Sequence, residues 1–231
     1  MEREYDVIGM GCCAFDIVVE LEGPPEEDQK TSETRILPQG GGLVATALVA
    51  VTRLGGRAAY LGALGDDAFG DFCVQEFERE GVDTRFIERV PGGSVVVAVI
   101  LAHSSAGTRT IFFSTENWPE PSAETIAEDV VRRARVVHVD NFQPEPALRT
   151  ARLARAAGVP VTLDLEGGGG PADELLANCD YAVVPLEFAR SRYGEEEPER
   201  ATAALHEEVA DCGGRVAVVT DGPRGSFGVH E

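Results

Sequence analysis

The sequence is short of basic charge. Its 231 residues hold 20 Lys+Arg against 40 Asp+Glu, a formal net charge of −20, and Lys30 is its one lysine. A nucleic-acid binder normally has the opposite balance, and so does a protein held on anionic lipid. Neither partner is expected. Cysteine is scarce as well: Cys12, Cys13, Cys73, Cys179 and Cys212, with no C-x-x-C spacing. They read as small buried thiols in a reducing compartment. No apolar run approaches the roughly 18–20 residues of a spanning helix. The start, "MEREYDVIGM", is charged and then strand-like, without the apolar region of a signal peptide. A cytoplasmic protein is expected.

Several chemical signatures are also missing. No G-K-[ST] follows the glycines, so there is no Walker A loop, and "GMGCCAF" lacks the third glycine of a dinucleotide fingerprint. No G-x-S-x-G elbow occurs. His103, His138, His206 and His230 are scattered, form no metal-ligand cluster and read as structural.

What remains is a chain with 43% hydrophobic residues, enough for a full core in one α/β domain. "YDVIGMG" reads as a buried strand, and "FDIVVELE" continues with alternation. "TRILPQ" is a short strand entering the Gly40-Gly41-Gly42 turn. Leu43 to Leu54 is a small-residue helix stopped by Gly55-Gly56, "RAAYLGAL" a strand, and Asp67 to Glu80 an amphipathic helix. "SVVVAVILAHSSAGTRTIFFST" reads as a hairpin turning at "HSSAGT". Strands and helices then alternate to the end: "ARVVHVD", "PEPALRTARLARAAG", "VPVTLDLE", "PADELLANC", "DYAVVP", "LEFARSRYG", "PERATAALHEEVADCGG", "RVAVVTDG" and "GSFGVHE". The alternation implies a mostly parallel sheet covered on both faces. The β-only stretches, about 14–37 and 94–115, fit a small separate sheet at one edge. "EGGGGP" (166–171) is too short for an interdomain linker.

In open α/β sheets, ligands bind beyond the carboxyl ends of the strands. Asp16, Asp140, Asn141, Asp164, Glu166, Thr220, Asp221 and Gly222 are expected there. Each alone reads equally well as a cap or turn former. The triple glycine also has two readings. It lets a helix pack closely, or it brings backbone N–H groups to a ligand.

The order and spacing of "VIGMGCCAFDIVV", "GGGLVATALVAVTRLGG", "LGALGDDAFGDF", "EREGVDT", "GTRTIFF", "ARVVHVD", "AAGVPVTLDLE", "CDYAVVPLEFAR" and "VAVVTDGPRGSFGV" resemble the PfkB, or ribokinase-like, carbohydrate kinase family across essentially the whole chain. "GTRTIFFSTENWPEPSAE" and "VTLDLEGGGG" bring it nearest to ketohexokinase-like bacterial sugar kinases. The resemblance implies a ribokinase-like three-layer α/β/α domain over 1–231, with the β-only stretches as a lid that also makes a homodimer. It implies ATP and Mg2+ as cofactors and phosphoryl transfer to a sugar hydroxyl. Asp16, Gly41, Gly42, Thr46 and Arg109 would bind the substrate; Thr220, Gly222 and Gly225 would line the nucleotide. The sequence departs from the family at Ala14, Leu43 and Thr46, where Asn is usual. It departs again at Leu186 and Ala189, in place of the N-x-x-E magnesium-water motif. No G-A-G-D stretch, the family's source of the general base, occurs in the 231 residues. The expectation is an incomplete domain whose base lies beyond Glu231 and which lacks kinase activity. A nucleoside kinase, with Leu43, Phe113 and Trp118 around a base, and a non-catalytic sugar-binding protein are the alternatives.

Overall fold

The computed structural model describes residues 3–32, 34–167 and 171–230; most of the expected 167–170 glycine run lies outside them. Among the described residues, twelve strands form two sheets. The large one has the order β12-β11-β10-β9-β8-β1-β4-β5, and the small one the order β3-β2-β6-β7. The large sheet contains β1 (Tyr5–Met10), β4 (Ala58–Gly65), β5 (Asp83–Val90), β8 (Ala134–Asp140), β9 (Val161–Asp164), β10 (Tyr181–Pro185), β11 (Val216–Thr220) and β12 (Ser226–His230). Its pairs are parallel except β11 with β12. The small sheet contains β2 (Ala14–Leu21), β3 (Ile36–Gly41), β6 (Val96–His103) and β7 (Thr108–Ser114). It is the expected lid. Two details differ from the sequence reading. Strand β5 was not anticipated, and the lid extends through Gly41 because β3 pairs with β2 as far as Gly41 opposite Ala14.

The helices are α1 (Leu43–Arg53), α2 (Ala68–Glu80), α3 (Glu128–Val131), α4 (Pro144–Ala156), α5 (Ala172–Leu176), α6 (Leu186–Tyr193) and α7 (Pro198–Asp211). They make the layers on either side of the large sheet. On one face Ile8, Met10, Val137 and Val139 pack with Leu148 of α4 and Leu205 of α7. On the other, Tyr60 and Leu64 pack with Val44 and Leu48 of α1 and Phe77 of α2. Helix α1 lies close to the sheet because Gly9 has no side chain; a Cβ there would come within 2.6 Å of Val44 Cγ1. Asp67 starts α2 by accepting from the Gly70 N–H at 2.8 Å, and left-handed Gly81 ends it.

The lid is anchored at its base. Phe15 meets the rings of Phe69 and Phe72 on α2, at centroid distances of 4.8 and 4.9 Å. Its far half is bare, and every residue of β7 is exposed. Of the cysteines, four are buried as expected, while Cys212 is half-buried. No helix among the described residues is long and apolar enough to cross a membrane.

Candidate functional site

The carboxyl ends of β1, β8 and β9 meet the N-terminus of α1 and one face of the lid. Asp16 does not follow the first strand of the large sheet. It is the third residue of β2, on the lid. Asp16, Gln39, Ala98 and Phe113 are cross-strand partners and therefore share a face. That face looks toward the large sheet, since the Phe113 ring meets Phe142, just after β8, at 6.1 Å.

Asp16 is 8% exposed, and its carboxylate makes no hydrogen bond or ion pair among the described residues. Burial pushes its pKa above the ordinary carboxylate value. Gly41 lies against it, so close that a Cβ would sit 1.9 Å from Asp16 Oδ2. Neither oxygen is among the fully buried side-chain atoms left without a partner, so the carboxylate still meets solvent and stands open to a ligand's donor.

Gly42 has another reason to be glycine. Its φ is +93°, and a Cβ would fall 2.4 Å from the Cys12 carbonyl oxygen. The turn thus serves close approach of the chain to itself. Gly42 caps α1 without a side-chain hydrogen bond. One of the helix's first donors is met from elsewhere. Ala45 N–H donates to the Cys12 carbonyl at 3.1 Å.

Asp140 is fully buried and accepts from the N–H groups of Cys12 at 2.6 Å and Phe142 at 3.0 Å. Gly11 makes room for it, since a Cβ there would meet Asp140 Cγ at 2.5 Å. Burial raises the Asp140 pKa to about 6, against the pull of these hydrogen bonds and with help from the charge of Asp164. Asp164, its register partner on β9, also rises to about 6, through burial and the neighbouring Glu166. The Asp164 carboxylate, like that of Asp16, has no hydrogen-bond partner among the described residues. Asn141 is occupied: its amide donates to the Glu166 carbonyl at 2.8 Å and accepts from the Glu166 N–H at 3.0 Å.

One wall is apolar. Leu43, Trp118 and Phe142 pack on Cys12, Ala14 and Val96. The Trp118 indole N–H is buried without an acceptor. Gln143 holds that segment by donating to the Pro119 carbonyl at 2.8 Å. Neither Phe142 nor Asp140's tie to Cys12 was legible in advance, because both depend on what β8 meets across the sheet edge.

The remaining expected residues are spread out. Thr46 is exposed and lines a cavity of about 280 Å³ between α1, α2 and β3, together with Gly40, Gly41, Cys13 and Cys73. Arg109 pairs with Ala102, on the same lid face as Asp16 but about 13 Å further along the strand. On the far side, Thr220 ends β11 and leads into a short 3-10 turn over Gly222–Arg224. Gly222 and Gly225 both have positive φ, and a Cβ at either would meet open space. Asp221 is ion-paired with Arg224 at 2.5 Å.

A mostly parallel sheet with a β lid over its carboxyl edge defines a ribokinase-like fold. Residues 10–231 match the pfkB family carbohydrate kinases, and the chain belongs to that family. It is 27% identical over 209 residues to an ATP-dependent ribose-1-phosphate kinase of Halopiger xanaduensis, covering 87% of this chain and 70% of that one. It is 27% identical over 164 residues to a nucleoside kinase of Methanothermobacter thermautotrophicus, covering 71% of this chain and 53% of that one. The chain thus spans between half and seven-tenths of these relatives. Arabidopsis thaliana ribokinase, solved with ribose and ATP, superposes with a TM-score of 0.77 at 24% identity, over all of this chain and 78% of that one.

Proposed function

We propose that the protein is an ATP-dependent carbohydrate kinase whose acceptor hydroxyl binds the Asp16 carboxylate. The observation that carries this is the burial of Asp16 without a partner. In this reading the acceptor lies between Asp16, Gly41 and Gly42 on one side and the ends of β8 and β9 on the other. Thr46 and Arg109 are the outer substrate contacts. ATP lies over the turn of Thr220, Gly222 and Gly225, where the glycines leave space. Mg2+ arrives on the ATP phosphates; the described residues form no cluster of three or more metal-ligating side chains, and magnesium commonly keeps water and phosphate ligands.

Phosphoryl transfer also needs a base at the acceptor hydroxyl. Asp140 is held by two N–H groups, and Asp221 by Arg224. Neither is free to act. The family's G-A-G-D stretch does not occur in these 231 residues, and in this reading they bind without turning over. Asp164, unpaired and raised to about 6, is the carboxylate to which turnover by this chain would point.

Calorimetry with D-ribose, D-fructose and ATP, followed by an ADP-release assay, tests both statements. Asp16→Asn is expected to weaken sugar binding at least about tenfold, since a hydrogen bond to a charged group contributes about 1.5–3 kcal/mol. Unchanged affinity would remove Asp16 from the site.

The apolar wall of Leu43, Trp118 and Phe142, with Phe113 against it, favours a second reading: the sugar is part of a nucleoside. Adenosine and uridine belong in the same titration. The protein works in the cytoplasm on small molecules. It associates as a homodimer through the outer lid face, where Ile36, Val99 and Phe112 are exposed.

A further inference from the structure

We infer that Cys13, at the root of the lid, and Cys73, on α2, form a peroxide-sensitive pair whose disulfide fastens the lid to the platform. Cys13 ends the crossing from β1 to the lid, which begins at Ala14. The two residues before it are tied down. The Gly11 carbonyl accepts from the Tyr60 hydroxyl at 2.7 Å, and the Cys12 N–H donates to Asp140 at 2.6 Å. The two adjacent cysteines then fall on opposite sides. Cys12 packs with Ala14 and Val96 at the apolar wall of the site, whereas Cys13 shares a cluster with Cys73, Tyr60 and Phe77. Two residues further on, Phe15 meets the rings of Phe69 and Phe72, which lie beside Cys73 on α2.

Both thiols are free and 2% exposed, and both line the cavity of about 280 Å³ between α1, α2 and β3. Its mouth is polar, with Gln39, Thr46, Arg53 and Arg79 exposed to solvent. A water needs only about 10–15 Å³ of such space, and hydrogen peroxide is little larger. An oxidant of that size reaches both sulfurs without unfolding the chain. The Cys73 thiol pushes the Cys13 pKa up, and burial adds to it. Cys13 therefore stays protonated at neutral pH and reacts slowly. For the same reason its disulfide reopens slowly, because a weakly acidic thiol is a poor leaving group. The chemistry takes one peroxide. One sulfur attacks a peroxide oxygen as its proton leaves, the O–O bond breaks, water departs and a sulfenic acid remains. The second sulfur attacks the first, its proton leaves with the hydroxyl as another water, and the S–S bond forms. Two thiols are oxidised and one hydrogen peroxide is reduced to two waters. The bond also closes a long loop of the unfolded chain, which raises stability.

The test treats the folded 231-residue chain with excess hydrogen peroxide, blocks the remaining thiols with iodoacetamide and maps the peptides without reduction. The expected result is a loss of two hydrogens in mass, found on a cross-linked pair of peptides that carry Cys13 and Cys73. The linked chain is expected to melt several degrees above the reduced one, and dithiothreitol should abolish the rise. Cys73→Ala, treated alike, should show neither the link nor the rise, whereas Cys212→Ser should show both. Cys13 and Cys73 recovered alkylated, when half-buried Cys212 is already oxidised, overturns the inference. So does Cys13 joined to Cys12, or either thiol carried on to a sulfinic acid. A link that leaves the melting temperature unchanged overturns the fastening. The wild-type peptide map decides even where Cys73→Ala fails to fold.

Discussion

Strands β4 and β7 are almost equal in length and opposite in circumstance. All eight residues of β4, "AAYLGALG", are buried. All seven of β7, "TRTIFFS", are exposed, although Ile111, Phe112 and Phe113 are larger and more apolar. Position decides. β4 lies between β1 and β5 with helices over it, whereas β7 is the outer strand of the lid. Apolar content reports what a strand could bury; neighbours decide what it does bury. The large sheet is a fixed platform and the lid is a surface still able to change partners. Asp16 and Gly41 stand where the two meet.

The largest effect should come from the platform. Leu61→Ala on β4 opens a cavity in fully buried surroundings and is expected to cost about 2–5 kcal/mol in urea unfolding. A cost below about 1 kcal/mol would mean the two sheets are less different than their burial implies.

At the junction, Gly42→Val is expected to cost about 3 kcal/mol, from a side chain at positive φ pressed on the Cys12 carbonyl. Gly41→Ala acts differently, because its new methyl meets the end of the Asp16 side chain. It should weaken sugar binding by tenfold or more while lowering the melting temperature less than Gly42→Val does. Equal losses of stability would make both glycines part of the platform.

Titration gives a smaller, signed effect. The folded pKa of Asp164 lies near 6, well above the ordinary value of an aspartate. The folded state therefore holds this proton more tightly than the unfolded state does. Asp164 lowers stability progressively as pH rises from about 4 to 6, and the penalty is complete above that. His138, held down near 4 by burial, acts the other way, since acid below its unfolded value favours unfolding. The clean measurement is a difference. Asp164→Asn should melt higher than the parent at pH 7 and no higher at pH 4. A pH-independent difference would exclude the buried charge as its cause.

The smallest effect on folding belongs to the lid. Phe112 pairs with Val99, on the face turned away from Asp16. Phe112→Ser should change monomer stability by less than about 0.5 kcal/mol yet abolish self-association in sedimentation. A wild-type chain that is monomeric at micromolar concentration would leave the outer lid face without that role.

The sequence by itself determined the element order and the separation of lid from platform. Both follow from local pattern: period-two apolar runs, helical stripes, and glycine stops at Gly55 and Gly81. Strand β5 escaped because "DTRFIERV" breaks period-two alternation, with Phe86 beside Ile87 and Glu88 beside Arg89, and its burial comes from pairing with β4 and from contacts with distant residues such as Tyr5. The sequence also marked the carboxyl-edge residues, since strand ends are local features. It could not say which of them were free. Asn141 and Asp140 are used internally, whereas Asp16 and Asp164 are not, and nothing in the neighbouring residues distinguishes the two pairs. The triple glycine shows the same limit. Pattern alone left it open between packing and ligand. The tertiary structure divided the work: Gly42 admits the Cys12 backbone, Gly41 admits the Asp16 carboxylate, and Asp140 from a distant strand takes the Cys12 N–H. Hydrogen-bond satisfaction and close approach depend on groups brought together from more than 100 residues apart, and only the packed chain brings them together.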